Sequence, residues 1–258
     1  MRHLPNLLTL ANLFCGCIAI TFVLSAQNFT TALNLNEYIE VPAVNQPYWA
    51  SVFIFLAAVF DLLDGLAARA LKVFSPIGKD LDSLADLVSF GVAPSMILFK
   101  MLWLAYMTQP EALDVNVAAL SPAFLIACFG ALRLARFNVH ANAGKGVSFT
   151  GMPIPAVGIF VASFPLIQWY DTTGIALHFY KPWVLYLIIA ILSWLMVSKI
   201  TFFKLLPSRL NLQTIWAPML VVITGVATIP FLGYGAIAAA FIVYVILAFI
   251  YKPKTIES

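Results

Sequence analysis

The chain is written in long apolar runs broken by short polar stretches. Eight runs stand out, at about 5–26, 47–71, 81–107, 121–139, 152–170, 182–199, 213–230 and 232–251. A helix needs about 20 mostly apolar residues to cross a bilayer, and most of these runs reach or approach that length. The last two are divided only by a tight turn near Pro230 and Gly233. Strands of a membrane barrel would alternate inward and outward residues, with a turn about every ten positions. These runs are continuously apolar, so the pattern predicts an all-α, polytopic membrane protein of about eight transmembrane helices.

Composition agrees. Hydrophobic residues make up 62% of the 258 and charged residues 10%, against roughly 25% charged in an ordinary soluble domain. So few charges cannot cover a soluble surface of this size, which excludes a cytosolic globular enzyme, a disordered chain and a nucleic-acid binder. The first run follows Met1-Arg2-His3 but is longer than a typical signal-peptide core and has no clear cleavage site, so it reads as a retained helix. Asn28-Phe29-Thr30 forms a glycosylation sequon of little weight. Cys15, Cys17 and Cys128 lie inside apolar runs with no metal or disulfide spacing. No internal repeat or low-complexity tract appears.

The charges set the orientation. With the N-terminus inside, twelve of the fourteen basic residues fall on the inner side, and only Lys100 and Lys181 fall outside. The outer loops hold Glu37, Glu40, Glu111, Asp114 and Asp171. The positive-inside rule then predicts both termini in the cytoplasm. Trp103, Tyr106, Trp169, Tyr170 and Trp183 sit near the ends of runs, as an aromatic belt would. His3, His140 and His178 have no ligand spacing and read as interfacial. Lys199, Lys204 and Arg209 read as a surface for anionic lipid.

Four acidic residues break the pattern. Asp61, Asp64, Asp82 and Asp86 lie in or at the ends of the second and third runs, where an aspartate costs about 2.5–3.5 kcal/mol at mid-helix. Asp61, Asp64, Gly65, Ala68 and Arg69 share one helical face; Gly78, Asp82 and Asp86 share another. Asp80 points elsewhere. The Ser75-Pro76-Ile77-Gly78 turn brings both faces together near the inner surface. Carboxylates without paired His or Cys make a hard oxygen site, suited to Mg²⁺ or Mn²⁺ rather than Zn²⁺. Such a site, with Gly65 and Ala68 as a smooth strip and Arg69 as a cation, suits phosphoryl-type transfer on a diphosphate.

Asp61-x-x-Asp64-Gly65-x-x-Ala68-Arg69, then eight residues, then Gly78-x-x-x-Asp82-x-x-x-Asp86 resembles the signature of the CDP-alcohol phosphotransferase family. Segments 5–12, 89–94, 131–138, 149–155 and 196–199 are similar to its serine-accepting branch, so the resemblance spans nearly the whole chain; Asn12 replaces an Arg common in other branches. The resemblance implies one integral membrane domain over 1–258, with the signature at 61–86. It implies two divalent ions held by Asp61, Asp64, Asp82 and Asp86, with Asp86 also the general base. Gly65, Ala68, Arg69 and Gly78 would meet the nucleotide diphosphate. The implied reaction converts CDP-diacylglycerol and L-serine to phosphatidylserine and CMP. A homodimer and a bacterial inner membrane, with the active site at the cytoplasmic face, are further implied.

Arg133 and Arg136 are candidates for the acceptor's carboxylate, or else snorkel to lipid headgroups. Thr9 and Asn12, one turn apart, either contact ligand or join helices. Other acceptors, such as glycerol 3-phosphate or inositol, would use the same motif. A cation-coupled transporter would place its acids nearer the membrane midplane.

Overall fold

A computed structural model of the chain describes residues 3–26, 29–34, 37–41, 45–72, 76–107, 115–142, 150–171, 173–203 and 212–250. Lys145, Lys204, Arg209, Lys252 and Lys254 lie outside these residues, as do Glu111 and Asp114. Among the described residues, four helices are long and apolar enough to span a bilayer: Leu4–Ser25, Gln46–Leu71, Ile77–Met107 and Val117–Val139. Four shorter apolar helices follow, at Ile154–Trp169, Pro182–Val197, Trp216–Leu232 and Gly235–Ile250. Each coincides with one of the eight predicted runs. The protein is thus a helical polytopic membrane protein.

In chain order the elements are α1 (Leu4–Ser25), β1 (Phe29–Asn34), β2 (Glu37–Val41), α2 (Asn45–Leu71), α3 (Pro76–Asp86), a π-helical turn (Leu87–Val92) and α4 (Ala93–Met107). After these come the short α5 (Val117–Leu120) and a 3₁₀ turn (Ser121–Phe124), which lead into α6 (Leu125–Asn142). They are followed by α7 (Ile154–Trp169), a 3₁₀ turn (Ile175–Tyr180), α8 (Pro182–Val197), α9 (Leu212–Leu232) and α10 (Gly235–Ile250). Two features depart from the sequence expectation. β1 and β2 pair antiparallel as a small hairpin between α1 and α2, an addition to an otherwise helical fold. Helix α3 already begins at Pro76, so Gly78 occupies its first turn and not a connecting turn. Proline suits that position because its missing N–H has no intrahelical partner there.

The third long helix runs from α3 into α4 through the π turn, where the Ala93 N–H bonds back to the Val88 carbonyl. Pro94 explains the widening. In a regular α-helix its ring would press on the carbonyl of Phe90, and one π turn relieves the clash without ending the helix. The turn is gripped from both sides. A Cβ on Gly16 of α1 would lie 2.8 Å from the Ser89 Cα, and one on Gly158 of α7 would lie 2.8 Å from the Phe90 Cβ. Phe90 is fully buried, with Ile54, Ile97, Ile126, Ile154 and Leu185 among the core around it. In a membrane, helices associate through such close contacts at small residues, because hydrocarbon offers no hydrophobic drive between helices.

A second brace joins the segment before α7 to the segment after α8. The Gly151 N–H donates to the Ile200 carbonyl at 2.9 Å, the Met152 N–H donates to the Leu195 carbonyl at 3.1 Å, and Thr150 bridges Thr201. Gly151 has φ +82° and packs against the Met196 carbonyl, so both its conformation and its space exclude a side chain. Gly151→Ala is expected to destabilise the protein by about 1–3 kcal/mol, read as a lower unfolding midpoint in detergent.

Beyond α7, Asp171 caps the loop. Its Oδ1 accepts from the Thr173 N–H (2.9 Å), the Thr173 Oγ1 (3.1 Å) and the Gly174 N–H (2.9 Å), and its Oδ2 accepts from the Ala176 N–H (2.8 Å). Slight burial pushes the carboxyl up, but these donors outweigh it and hold the pKa below its usual 3.8. A carboxylate with a depressed folded pKa stabilises above its unfolded pKa and loses that contribution as pH falls through the folded value. Asp171→Ala should therefore lower the unfolding midpoint at pH 7, and this difference from wild type should shrink below about pH 4.

Candidate metal and phosphoryl-transfer site

The acidic faces of α2 and α3 meet as their spacing predicts. One carboxylate oxygen from each of Asp61, Asp64 and Asp82 lies within 4.8 Å of the others. Asp86 stands beside this trio, within hydrogen-bond reach of Asp61 and in electrostatic contact with all three. Asp64 and Asp86 are buried, whereas Asp61 and Asp82 are half-buried.

Helix α1 holds the cluster from its other side. The Thr9 Oγ1 reaches the Asp64 Oδ2 at 2.6 Å and the Pro5 carbonyl at 3.0 Å. One turn on, the Asn12 Nδ2 donates to the Asp86 Oδ1 at 3.2 Å. The Asn12 carbonyl accepts from the Ser89 Oγ at 3.0 Å, so Asn12 is tied to the third long helix through both side chain and backbone. Of the two readings given for Thr9 and Asn12, these bonds join helices, and they are directed onto the acidic residues themselves. Asn12 is fully buried, and its Oδ1 has no partner.

The basic residues separate. Arg133 of α6 is 8% exposed and is the one buried cation among the described residues. Its Nε has no hydrogen-bond partner, and the Asp86 carboxylate lies near enough for the two charges to act on each other. Arg136 and Arg69 lie exposed. Gly65 is half-buried, with open space where a Cβ would stand, and Ala68 and Gly78 are also half-buried. The helix face at Gly65 therefore borders open space. Asp80 is exposed, away from the cluster.

Sequence reasoning missed several supports. The Asn138 Nδ2 of α6 donates to the Ser83 Oγ at 2.9 Å, and the Lys79 Nζ reaches the Asn138 carbonyl at 3.4 Å; these bonds dock the Arg133 helix onto α3. Tyr244 is 3% exposed and donates to the Phe203 carbonyl at 3.2 Å. The available signal was weak: the lone phenol of an otherwise apolar α10.

The donor set fits a hard divalent ion. Mg²⁺ holds oxygens at about 2.0–2.1 Å, so adjacent ligands stand about 3 Å apart and opposed ones about 4.2 Å, and three carboxylate oxygens already within 4.8 Å of one another reach such spacings by side-chain rotation. Four acidic groups with a single buried cation beside them also leave negative charge for a metal to neutralise. Thr9 and Asn12 orient these carboxylates as outer-sphere groups do around bound metals. Thr9→Val or Asn12→Ala should weaken Mn²⁺ binding about 10–100-fold, measured by electron paramagnetic resonance of free Mn²⁺ on folded protein.

Fold and site together define a helical membrane protein built around a carboxylate cluster suited to metal-assisted transfer. Residues 2–252 match the family model described as CDP-alcohol phosphatidyltransferase. The chain belongs to this family, whose members are enzymes. It is 34% identical over 204 residues to the CDP-diacylglycerol--serine O-phosphatidyltransferase of Bacillus subtilis, covering 78% of this chain and 90% of that protein. It is 34% identical over 164 residues to the Helicobacter pylori (strain J99) protein of the same name, covering 64% of this chain and 57% of that one. The archaetidylserine synthase of Methanothermobacter thermautotrophicus is 31% identical over 201 residues, covering 77% and 69%.

Proposed function

We propose that the protein transfers the phosphatidyl group of CDP-diacylglycerol to the hydroxyl of L-serine, giving phosphatidylserine and CMP. The observation that carries this reading is the juxtaposition of three metal-spaced carboxylates, a fourth held separately by Asn12, and the buried Arg133 beside that fourth. The names of the B. subtilis and H. pylori relatives support serine as the acceptor, as do the branch-like segments, several of which meet around the cluster.

Asp61, Asp64, Asp82 and Asp86 would hold one or two Mg²⁺ or Mn²⁺ ions. Bound there, the metal neutralises charge on the diphosphate and on the departing CMP. Asp86 is assigned as general base. Asn12 holds its Oδ1, and the carboxylate would take the proton from the serine hydroxyl, which is a poor nucleophile until that proton is removed. The serine oxygen forms a bond to the lipid-linked phosphorus, the bond from phosphorus to the CMP oxygen breaks, and CMP leaves with the electron pair. Gly65, Ala68 and Gly78 let the nucleotide lie close to the helices, with Arg69 at the rim. The unpartnered Arg133 Nε suits the serine carboxylate, for which guanidinium geometry is well matched; Arg136 is assigned to the rim of the same region. The positive-inside pattern supports an active site at the cytoplasmic face, and the resemblance to the family implies a bacterial inner membrane. The whole chain is assigned as one domain, working as a homodimer as its resemblance to the family implies.

Purified protein given CDP-diacylglycerol and Mn²⁺ should release CMP with L-serine, and not with glycerol 3-phosphate or inositol. Asp86→Asn should lower the rate about 10²–10⁴-fold, the usual range for losing a general base. Release with another acceptor only would overturn the serine assignment. Arg133→Ala should raise the KM for serine far more than that for the CDP-lipid; an equal rise in both would refute its role at the carboxylate.

A further inference from the structure

Three buried polar side-chain atoms have no hydrogen-bond partner among the described residues: the Asn12 Oδ1, the Arg133 Nε and the Ser193 Oγ. Of these residues, Asn12 is the one hydrogen-bonded to the carboxylate cluster, through its Nδ2 to the Asp86 Oδ1 at 3.2 Å. That bond fixes the amide's orientation, because a carboxylate accepts from the amide nitrogen and repels the amide oxygen. The Oδ1 shares its carbon with that nitrogen, so it stays within about 5.5 Å of the Asp86 oxygen.

The neighbouring hydroxyls do not supply a donor. The Thr9 proton goes to Asp64 or to Pro5, and the Ser89 proton goes to the main-chain carbonyl of Asn12. Gly16, one turn further along α1, has no side chain to offer. Asn12 is 0% exposed, so bulk water does not reach the oxygen either. An acceptor that has lost its water and gained no donor destabilises a fold. Beside a reactive site, the missing donor belongs to what binds there.

The surroundings select the kind of donor. Four carboxyl groups with Arg133 as the buried cation favour a positively charged donor over a neutral one. The donor must also sit close to a hydroxyl resting on Asp86. In a 2-amino alcohol the hydroxyl and the amine stand on adjacent carbons, roughly 3–4 Å apart. A hydroxyl at Asp86 therefore carries its ammonium group within reach of the Asn12 Oδ1.

We propose that Asn12 is a specificity-determining residue: its Oδ1 accepts a hydrogen bond from the ammonium group of the acceptor, and so selects a 2-amino alcohol over an acceptor that lacks the amine. The inference rests on the proposed function for the hydroxyl at Asp86 and deepens it by assigning the amine. One planar amide then sets the base and the substrate in register, with its nitrogen on Asp86 and its oxygen on the group next to the reacting hydroxyl. An acceptor carboxylate is repelled by an amide oxygen and is left to Arg133.

The test uses 3-hydroxypropanoate, which keeps the hydroxyl and the carboxylate of serine and lacks only the amine. Its inhibition constant against L-serine is measured beside the KM for L-serine, at saturating Mn²⁺ and CDP-diacylglycerol. In the wild type the analogue should bind at least about tenfold more weakly than L-serine, as expected for losing a hydrogen bond to a charged group. Asn12→Ala should bring the two constants within about threefold of each other, mainly by raising the KM for L-serine. Asn12→Asp keeps an oxygen for the ammonium and loses the donor to Asp86, so kcat should fall while the preference for L-serine stays or grows. Ser89→Ala leaves the amide in place, and its preference should stay within about twofold of the wild type. Where turnover is too slow, calorimetric titration of both acceptors into protein loaded with Mn²⁺ and CMP gives the same ratio. Equal weakening of both acceptors in Asn12→Ala would overturn the proposal, since Asn12 would then act through Asp86 and the metal alone. Loss of the preference in Asn12→Asp would also overturn it, and this variant decides if Asn12→Ala does not fold. A wild type that uses another acceptor and not L-serine would instead refute the serine reading, a result distinct from a serine-using enzyme with an unchanged ratio.

Discussion

Everything in this protein is arranged around the cost of holding four carboxylates together inside a membrane-spanning bundle. No water is at hand along the lipid-facing surfaces to solvate them, and their mutual repulsion pushes α2 and α3 apart. Helix α1 opposes that repulsion. Thr9 engages Asp64, Asn12 engages Asp86, and one turn further Gly16 lets the backbone of α1 close on Ser89. The three contacts follow one another along a single face of α1. They hold the two acid-bearing helices at a fixed separation, and that separation sets the spacing of the ligand oxygens.

The π turn belongs to the same arrangement. Pro94 prevents a regular helix from continuing through Phe90, and the widened turn that results places Ser89 and Phe90 where α1 and α7 can grip them. The region just beyond Asp86 is thus pinned on two sides. A carboxylate at the end of a helix segment with this much support has little freedom to drift. Tyr244, Phe203 and the Gly151–Ile200 brace extend the support toward Arg133 and α10, so the acidic and basic sides of the site are held by different helices that share one core.

Much of this was legible in the residues. Continuous apolar runs define helices because a bilayer leaves no other way to satisfy the backbone. The i, i+3, i+4 and i+8 spacings put the aspartates on two facing surfaces because a helix repeats every 3.6 residues. The contrast between Arg133 and Arg136 was only partly visible. Three residues apart on one helix, they differ in burial because of what packs against α6, and no local pattern reports that. The hairpin at β1 and β2 was missed because its strands are short: apolar Phe29, Leu33, Ile39 and Val41 fall on alternate positions, but over too few residues to stand out between two long helices. The π turn has its cause in Pro94, but a proline in a membrane helix permits a kink, a break or a bulge, and neighbouring helices choose among them.

The sequence by itself determined the helical membrane class, the family signature and the chemistry of an all-oxygen, phosphate-directed site, because these depend on composition and on spacing within single helices. Tertiary structure alone decided the partner of each polar residue. Thr9 went to Asp64, Asn12 to Asp86 and Ser89 back to α1, while Asn138 reached Ser83. These pairings join residues 55 to 77 positions apart. They arise from how closely small residues allow helices to approach, a property of surfaces in contact that no single helix carries.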